Sequence, residues 1–174
     1  MPLFETVTDL VSGADVLRRR RYGVIEVVDG ELVRVALRPF PKFCLLHEPI
    51  WGDWYHTSVA GDRCRLYYNQ PRGFANFLAL KYLLSSRGAT LRTVRRALAV
   101  LEQIAEIKRT DAILCDAASL RISPRLLARE GWEPNRPSRW HRHHIKRFYG
   151  EYSSPKNKGR RTKDEVGNSQ GLSV

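Results

Sequence analysis

The stretch DAILCDAASLRISPRLLAREGW, from Asp111 to Trp132, constrains the fold more than any other part of the chain. The apolar run 112–115 predicts a strand that is covered on both faces. Ser123 followed by Pro124 is typical of a helix start, because the hydroxyl can accept a backbone N–H and proline at the first helical position loses no hydrogen bond. Gly131 suits the left-handed residue that ends a helix, and the tryptophan after it is expected to turn back and pack. A strand, a connection and a capped helix in this order predict an α/β domain.

The segment upstream adds another strand and a longer helix. Thr93 to Ile107 is predicted to be an amphipathic helix. Its apolar residues recur every three or four positions: Val94, Ala97, Leu98, Leu101, Ile104 and Ala105. The mostly apolar run from Ala79 to Leu84 predicts a strand, and the small residues from Ser85 to Thr90 predict the loop that joins strand to helix.

From Phe77 to Tyr149 this order resembles the second half of the GNAT acetyltransferase superfamily. In that family a strand leads through a glycine-containing loop into a helix that receives the pyrophosphate of acetyl-CoA. The family's loop, Arg/Gln-x-x-Gly-x-Gly/Ala, aligns with residues 85–90, where Gly88 matches it. The resemblance implies a GNAT-like α/β fold, with a mixed, largely antiparallel sheet flanked by helices.

The same resemblance implies acetyl-CoA as cosubstrate and an amine as acyl acceptor. The residues that it implies for the cosubstrate are Arg87, Gly88, Ala89 and Thr90. A helix start with free N–H groups and a nearby arginine suits an anionic phosphate. The alternative is that this segment is an ordinary turn between a strand and a helix.

The acid and base of such a reaction are harder to assign from the residues. Many GNAT members use a tyrosine to protonate the departing thiolate, and here Leu127 stands in that place, while Ser85 stands where the loop has arginine or glutamine. The amine must also lose a proton. Asp116, at the C-terminal end of the predicted strand, is our candidate base, and its alternative role is to cap the following turn.

The N-terminal half predicts antiparallel structure. Asp29 and Gly30 separate two apolar runs, Tyr22 to Val28 and Glu31 to Leu37, and such a pair is a strong signal for a hairpin. The other elements predicted here are one helix and two strands: Val7 to Arg19, Phe43 to Leu46 and Arg63 to Tyr68.

Length and composition predict one domain and a tail. A chain of 174 residues with 43% hydrophobic content can bury one substantial core, which we place in residues 1–150. Residues 151–174 are polar, glycine-containing and basic, so we expect a disordered tail. Since no apolar run approaches the ~20 residues that span a bilayer, and no secretory leader pattern is present, we expect a cytoplasmic protein without a membrane segment.

Charge supports a second interpretation of the function. Lys and Arg number 30 against 18 Asp and Glu, which gives a formal net charge of +12. Three basic clusters stand out: Arg18 to Arg21, Arg136 to Arg147 and Lys156 to Lys163. Such clusters attract polyanions. The alternative to an enzyme is therefore a non-catalytic basic module that binds nucleic acid or an acidic protein partner.

The second of these clusters, Arg136 to Arg147, interleaves aromatic residues with cations, as nucleic-acid surfaces do. The contacts predicted for this alternative are Arg139, Trp140, Arg142, Lys146 and Arg147. The same segment also fits the last strands of a GNAT sheet, with Trp140, Ile145 and Phe148 turned inward. Its histidines lack the spacing of metal ligands, so no metal site is predicted.

Overall fold

The computed structural model describes residues 4–39, 60–116, 123–138 and 141–152. The helices and strands within these ranges are, in chain order, β1 (Glu5–Val7), α1 (Ala14–Arg19), β2 (Tyr22–Val28), β3 (Glu31–Arg38), β4 (Arg63–Asn69), β5 (Phe77–Ser85), α2 (Leu91–Lys108), β6 (Ala112–Asp116), α3 (Pro124–Arg129), β7 (Glu133–Ser138) and β8 (His141–Arg147).

The strands form one eight-stranded sheet in the order β1-β3-β2-β4-β5-β6-β8-β7. Only β5 and β6 are parallel in this sheet, and the other neighbours are antiparallel. From β5 onward the chain runs strand, loop, helix, parallel strand, helix and antiparallel pair. The predicted α/β fold class, with a mixed and largely antiparallel sheet flanked by helices, is confirmed.

The core lies between the sheet and α2. This helix packs across β2, β3, β4 and β6, and α1 packs against it in turn. The predicted apolar face of α2 is buried, and Leu98, Leu101 and Ile104 are at most 1% exposed. Within the described part of the chain, no helix is both long enough and apolar enough to cross a membrane.

Local chemistry places several elements where the sequence predicted them. Asp29 and Gly30 both have positive φ, 52° and 79°, as the turn of a tight hairpin requires. At the start of α3 the Ser123 hydroxyl accepts the backbone N–H of Leu126 at 3.2 Å. Gly131 is left-handed, with φ of 80°, and Trp132 is 2% exposed. The capped helix and the inward turn of the tryptophan are therefore confirmed.

The predicted helix from Val7 to Arg19 is wrong in its first half. Val7 is in β1, opposite Val35 of β3, and the helix begins only at Ala14. The reason is a turn at Asp9, whose carboxylate accepts the backbone N–H of Ser12 at 2.9 Å and redirects the chain. The strand predicted at residues 43–46 and the tail from residue 153 lie outside the described residues.

Candidate functional site

The ladder between the two parallel strands is shorter than β5. β5 and β6 are in register from Phe77 and Ala112 to Leu80 and Cys115, whereas β5 continues to Ser85. β6 ends at Asp116, one residue beyond the Leu80–Cys115 rung. We call the edge of β5 beyond this rung, together with the end of β6, the β5–β6 slot.

A β-bulge in the β4–β5 ladder lies directly beyond this rung. Tyr67 and Tyr68 of β4 are opposite Tyr82 and Leu80 of β5, so Lys81 is an extra residue on β5. A bulge bends its strand and increases the local twist. The bend therefore comes directly after the last residue of β5 that pairs with β6.

A row of buried side chains crosses the sheet at the last paired rung. Leu80 is in register with Cys115, which is in register with His144 of β8. Their exposures are 1%, 1% and 8%. The Nδ1 atom of His144 is buried and has no hydrogen-bond partner among the described residues. Burial lowers the pKa of His144, so its imidazole is neutral near neutral pH and can accept a proton.

Asp116, the base predicted from the sequence, is the last residue of β6. It is opposite His143 of β8, one rung beyond His144. The fold therefore places its backbone at the edge of the slot. His144 was missed at the sequence level, because only the pairing of β8 with β6 brings it beside the end of the β5–β6 ladder.

At the start of α2 the helix binds a carboxylate of the chain itself, that of Asp62. The carboxylate of Asp62 accepts the Thr90 backbone N–H at 2.8 Å and the hydroxyls of Thr90 and Thr93 at 2.8 and 2.7 Å. Burial alone would raise the pKa of Asp62, but these hydrogen bonds from Thr93 and Thr90 lower it overall. An ionised carboxylate thus lies where the sequence predicted a phosphate.

Thr90 is consequently a helix cap in this structure, and its predicted role in binding the cosubstrate stays a prediction. Its hydroxyl also accepts the backbone N–H of Thr93 at 3.3 Å, as an N-cap residue does. Asp62 is 28 residues away in sequence. No local motif signals that such a distant carboxylate will reach this helix start.

Gly88 has a structural reason to be glycine. A Cβ at this position would lie 3.0 Å from the carbonyl oxygen of Gly61, because the loop packs closely on the residues that precede β4. Ser86 stabilises the same contact. Its hydroxyl donates to the Gly61 carbonyl at 2.5 Å and accepts the Arg63 backbone N–H at 3.0 Å. The amide of Ala89 donates to the Ser86 carbonyl at 3.1 Å, so it is also engaged within the loop. Arg87 is exposed.

One cation of the second basic cluster, Lys146, lies in the protein interior. Lys146 is 8% exposed, and its amine donates to Glu102 Oε1 at 2.5 Å and to the Glu130 carbonyl at 2.6 Å. The predicted contact of Lys146 with nucleic acid stays a prediction, and the amine would have to leave these two partners to make it. Arg147 is partly exposed but pairs with Glu133 at 2.6 Å.

The strand interpretation of this segment is supported instead, because Ile145 and Phe148 are 6% and 3% exposed. Arg142 is in β8, but the structure describes only its backbone. Arg139 and Trp140 lie outside the described residues.

A different basic surface lies at the start of β2. A pocket of about 530 Å³ brings the first basic cluster together with arginines from two other segments. Its lining residues are Arg19, Arg20, Arg21, Tyr22, Arg38, Pro39, Arg72 and Gly73. The sequence indicated the cluster but not the pocket, because Arg38 and Arg72 join it only through strand pairing.

Comparison with solved structures gives one match. The chain is similar to the crystal structure of a nourseothricin acetyltransferase, with a TM-score of 0.40 and 10% sequence identity over 84% of this chain and 99% of that chain. No protein-family model and no curated protein sequence matches. The fold class stated above therefore rests on the strand order.

Proposed function

We propose that this protein is a GNAT-like acyltransferase that binds acetyl-CoA, or a related acyl-CoA, in the β5–β6 slot and transfers the acyl group to an amine. The observation that carries the proposal is that β5 continues to Ser85 beyond its last rung with β6, at Leu80 and Cys115, with the bulge at Lys81 directly after that rung. A ligand that pairs with β5 needs an edge of this strand that β6 does not occupy.

The slot suits an extended ligand that carries amides. Extended chains bind at the side of a strand through main-chain hydrogen bonds, and the pantetheine arm of coenzyme A is extended and contains amide groups. With the arm beside the end of β5, the thioester comes near the Leu80–Cys115 rung. This position brings the reacting carbonyl close to His144 and to the end of β6.

The diphosphate of the cosubstrate would bind at the loop before α2. The predicted residues there are Arg87, Gly88, Ala89 and Thr90, and of these Arg87 keeps an exposed guanidinium that can form bidentate bonds with a phosphate. The Thr90 amide is held by Asp62. A diphosphate must therefore bind before Thr90, through Arg87 and the neighbouring amides, or displace the carboxylate.

The reaction needs one proton acceptor and one proton donor. The amine nitrogen attacks the thioester carbonyl carbon, the carbon–sulfur bond breaks, and the thiolate of coenzyme A leaves. His144, neutral and buried beside the rung, accepts the proton that the amine loses and returns it to the thiolate. This assignment replaces the family's tyrosine, whose place is taken by the fully buried Leu127. Asp116 remains the second candidate for the base.

Calorimetric titration with acetyl-CoA and with coenzyme A at physiological salt tests the proposal, with ATP as a control for general attraction of polyphosphates. We expect binding that is selective for coenzyme A over ATP. Arg87→Glu should weaken it by about tenfold or more, the loss expected for a charge-assisted phosphate contact. Arg125→Glu, an exposed change of equal charge on α3, should leave it unaltered. Binding equal to ATP and lost with salt would refute the site.

Catalysis is tested separately by mass spectrometry of acyl transfer to a panel of amines. His144→Gln should retain acyl-CoA binding but lose transfer, and Asp116→Asn should do so if the aspartate is the base instead. The pH dependence of the rate should lose its acidic limb in the variant that lacks the base. Transfer by both variants at the wild-type rate would contradict both assignments.

A further inference from the structure

The arginine pocket lies toward the start of β5, whereas the loop before α2 follows the end of that strand. Tyr22, which lines it, pairs with Asn69 at the end of β4, and Asn69 pairs with Ala79 near the start of β5. The slot begins beyond Leu80 and extends toward Ser85, at the other end of the same strand. At ~3.3 Å per residue this places the pocket about 20 Å from the loop before α2. One acyl-CoA diphosphate cannot serve both places.

The pocket carries cations that the protein does not neutralise. Arg20 is paired with Glu5 at 2.7 Å. In the described ranges, Arg19, Arg21 and Arg72 have no carboxylate within ion-pair distance, and all three are exposed. Arg38 adds a further guanidinium, which lies 5.7 Å from the centre of the Tyr67 ring.

The positive charge of the pocket also affects the pKa of a neighbouring lysine, Lys108. The amine of Lys108 donates to the carbonyl of Arg20 at 2.8 Å and to Gln70 Oε1 at 3.0 Å, so it lies just behind the pocket. Burial and, in second place, the positive charge of Arg21 together lower the pKa of Lys108 to about 8. The positive potential of the cluster therefore extends into the protein interior.

Carboxylates limit the positive surface on both sides. Glu5 of β1 is opposite Leu37, the residue before Arg38, at one edge of the pocket. Toward the middle of the sheet, Asp111 accepts a hydrogen bond from the Asn76 side chain at 2.9 Å, next to the start of β5. A long polyanion that crosses the pocket in this direction meets negative charge on both sides. A compact anion does not.

We propose that this pocket binds a compact anion with two linked phosphate groups, as found in inorganic pyrophosphate and in nucleoside diphosphates. Guanidinium groups form paired hydrogen bonds with phosphate oxygens, and several converging arginines match the charge of a diphosphate. A volume of about 530 Å³ is within the range of small-molecule sites. The ring of Tyr22 lines the same pocket and offers a surface on which a nucleobase can stack.

Titration of the full chain with inorganic pyrophosphate, ADP and AMP tests the assignment by calorimetry at physiological salt. Arg21→Glu and Arg72→Glu change two exposed residues on different segments of the pocket, and each should weaken pyrophosphate binding by about tenfold or more. Arg125→Glu makes the same charge change on α3 and should alter binding by less than about twofold. Circular dichroism of each variant confirms that it is folded.

The results separate the sources of the diphosphate. Pyrophosphate binding as tight as that of ADP indicates free diphosphate as the ligand, whereas tighter ADP binding indicates a nucleotide, and either supports the site. An equal loss in Arg125→Glu would overturn the proposal, because it shows attraction to net charge alone. So would an oligonucleotide that binds at physiological salt where pyrophosphate does not. Because Arg21 and Arg72 lie outside the slot, these results are independent of acyl-CoA binding.

Discussion

The ion pair between Lys146 and Glu102 offers the sharpest test of the packing. It joins β8 to α2 with an Nζ–Oε1 distance of 2.5 Å, and the two side chains are 9% and 10% exposed. The same amine donates to the Glu130 carbonyl just after α3, at 2.6 Å. One side chain thus links three elements around the C-terminal half of the core.

Replacing Lys146 by methionine keeps most of the length of the side chain but removes its charge. The carboxylate of Glu102 then loses this cation in a site from which water is largely excluded. Breaking a buried pair in this way costs about 3–5 kcal/mol, a large part of the ~5–15 kcal/mol by which a domain is stable. For a domain of this size the midpoint of thermal unfolding should fall by roughly 6–20 °C.

Urea unfolding followed by tryptophan fluorescence measures the cost, and a neighbouring pair supplies the control. Arg147 pairs with Glu133 at 2.6 Å, but those side chains are 38% and 57% exposed. Arg147→Met should cost no more than about 1 kcal/mol. The double variant Lys146→Met with Glu102→Met should recover most of the loss, because it leaves no unpaired charge. An equal cost for the two single variants would refute the reasoning.

Three further predictions concern the sheet and the region behind the arginine pocket. In Gly23→Ala the new Cβ would lie 2.6 Å from the Tyr68 ring, so we expect a loss of about 1–3 kcal/mol in urea unfolding; an unchanged midpoint would contradict this contact. Tyr68→Phe removes a buried hydroxyl that has no partner in the described part of the chain, so the free energy of unfolding should stay equal or rise by up to about 1 kcal/mol. The pKa of Lys108 is about 8 in the folded protein, against an ordinary 10.5. Between these pH values the unfolded chain binds more protons than the folded one, so the free energy of unfolding should rise as the pH rises. Lys108→Met should remove this part of the pH dependence.

The sequence predicted best where a few neighbouring residues determine the structure. The hairpin at Asp29 and Gly30 needs only two residues that accept positive φ, and both have it. The start of α3 needs only a hydroxyl and a proline in consecutive positions. These features depend on contacts within about four residues, which a single sequence displays directly.

Prediction failed where residues distant in sequence meet. Nothing near Thr90 indicates that Asp62 will cap its helix, and nothing near Lys146 indicates that Glu102 will lie opposite it. The bulge at Lys81 is also invisible in an apolar run, because a one-residue shift in pairing leaves the composition unchanged. These contacts determine the candidate site more than the motif does.

The loop before α2 shows that a pattern typical of a phosphate site can also be satisfied by groups of the chain itself. A helix start stabilises negative charge, and a glycine permits a close approach of another group, so the sequence suggested a phosphate. Both statements hold in the structure. The negative charge belongs to Asp62, however, and the closely approaching group is the Gly61 backbone. Because Asp62 and Gly61 meet both requirements, the motif alone does not point to acyl-CoA. The proposal rests instead on the part of β5 that continues beyond its last rung with β6.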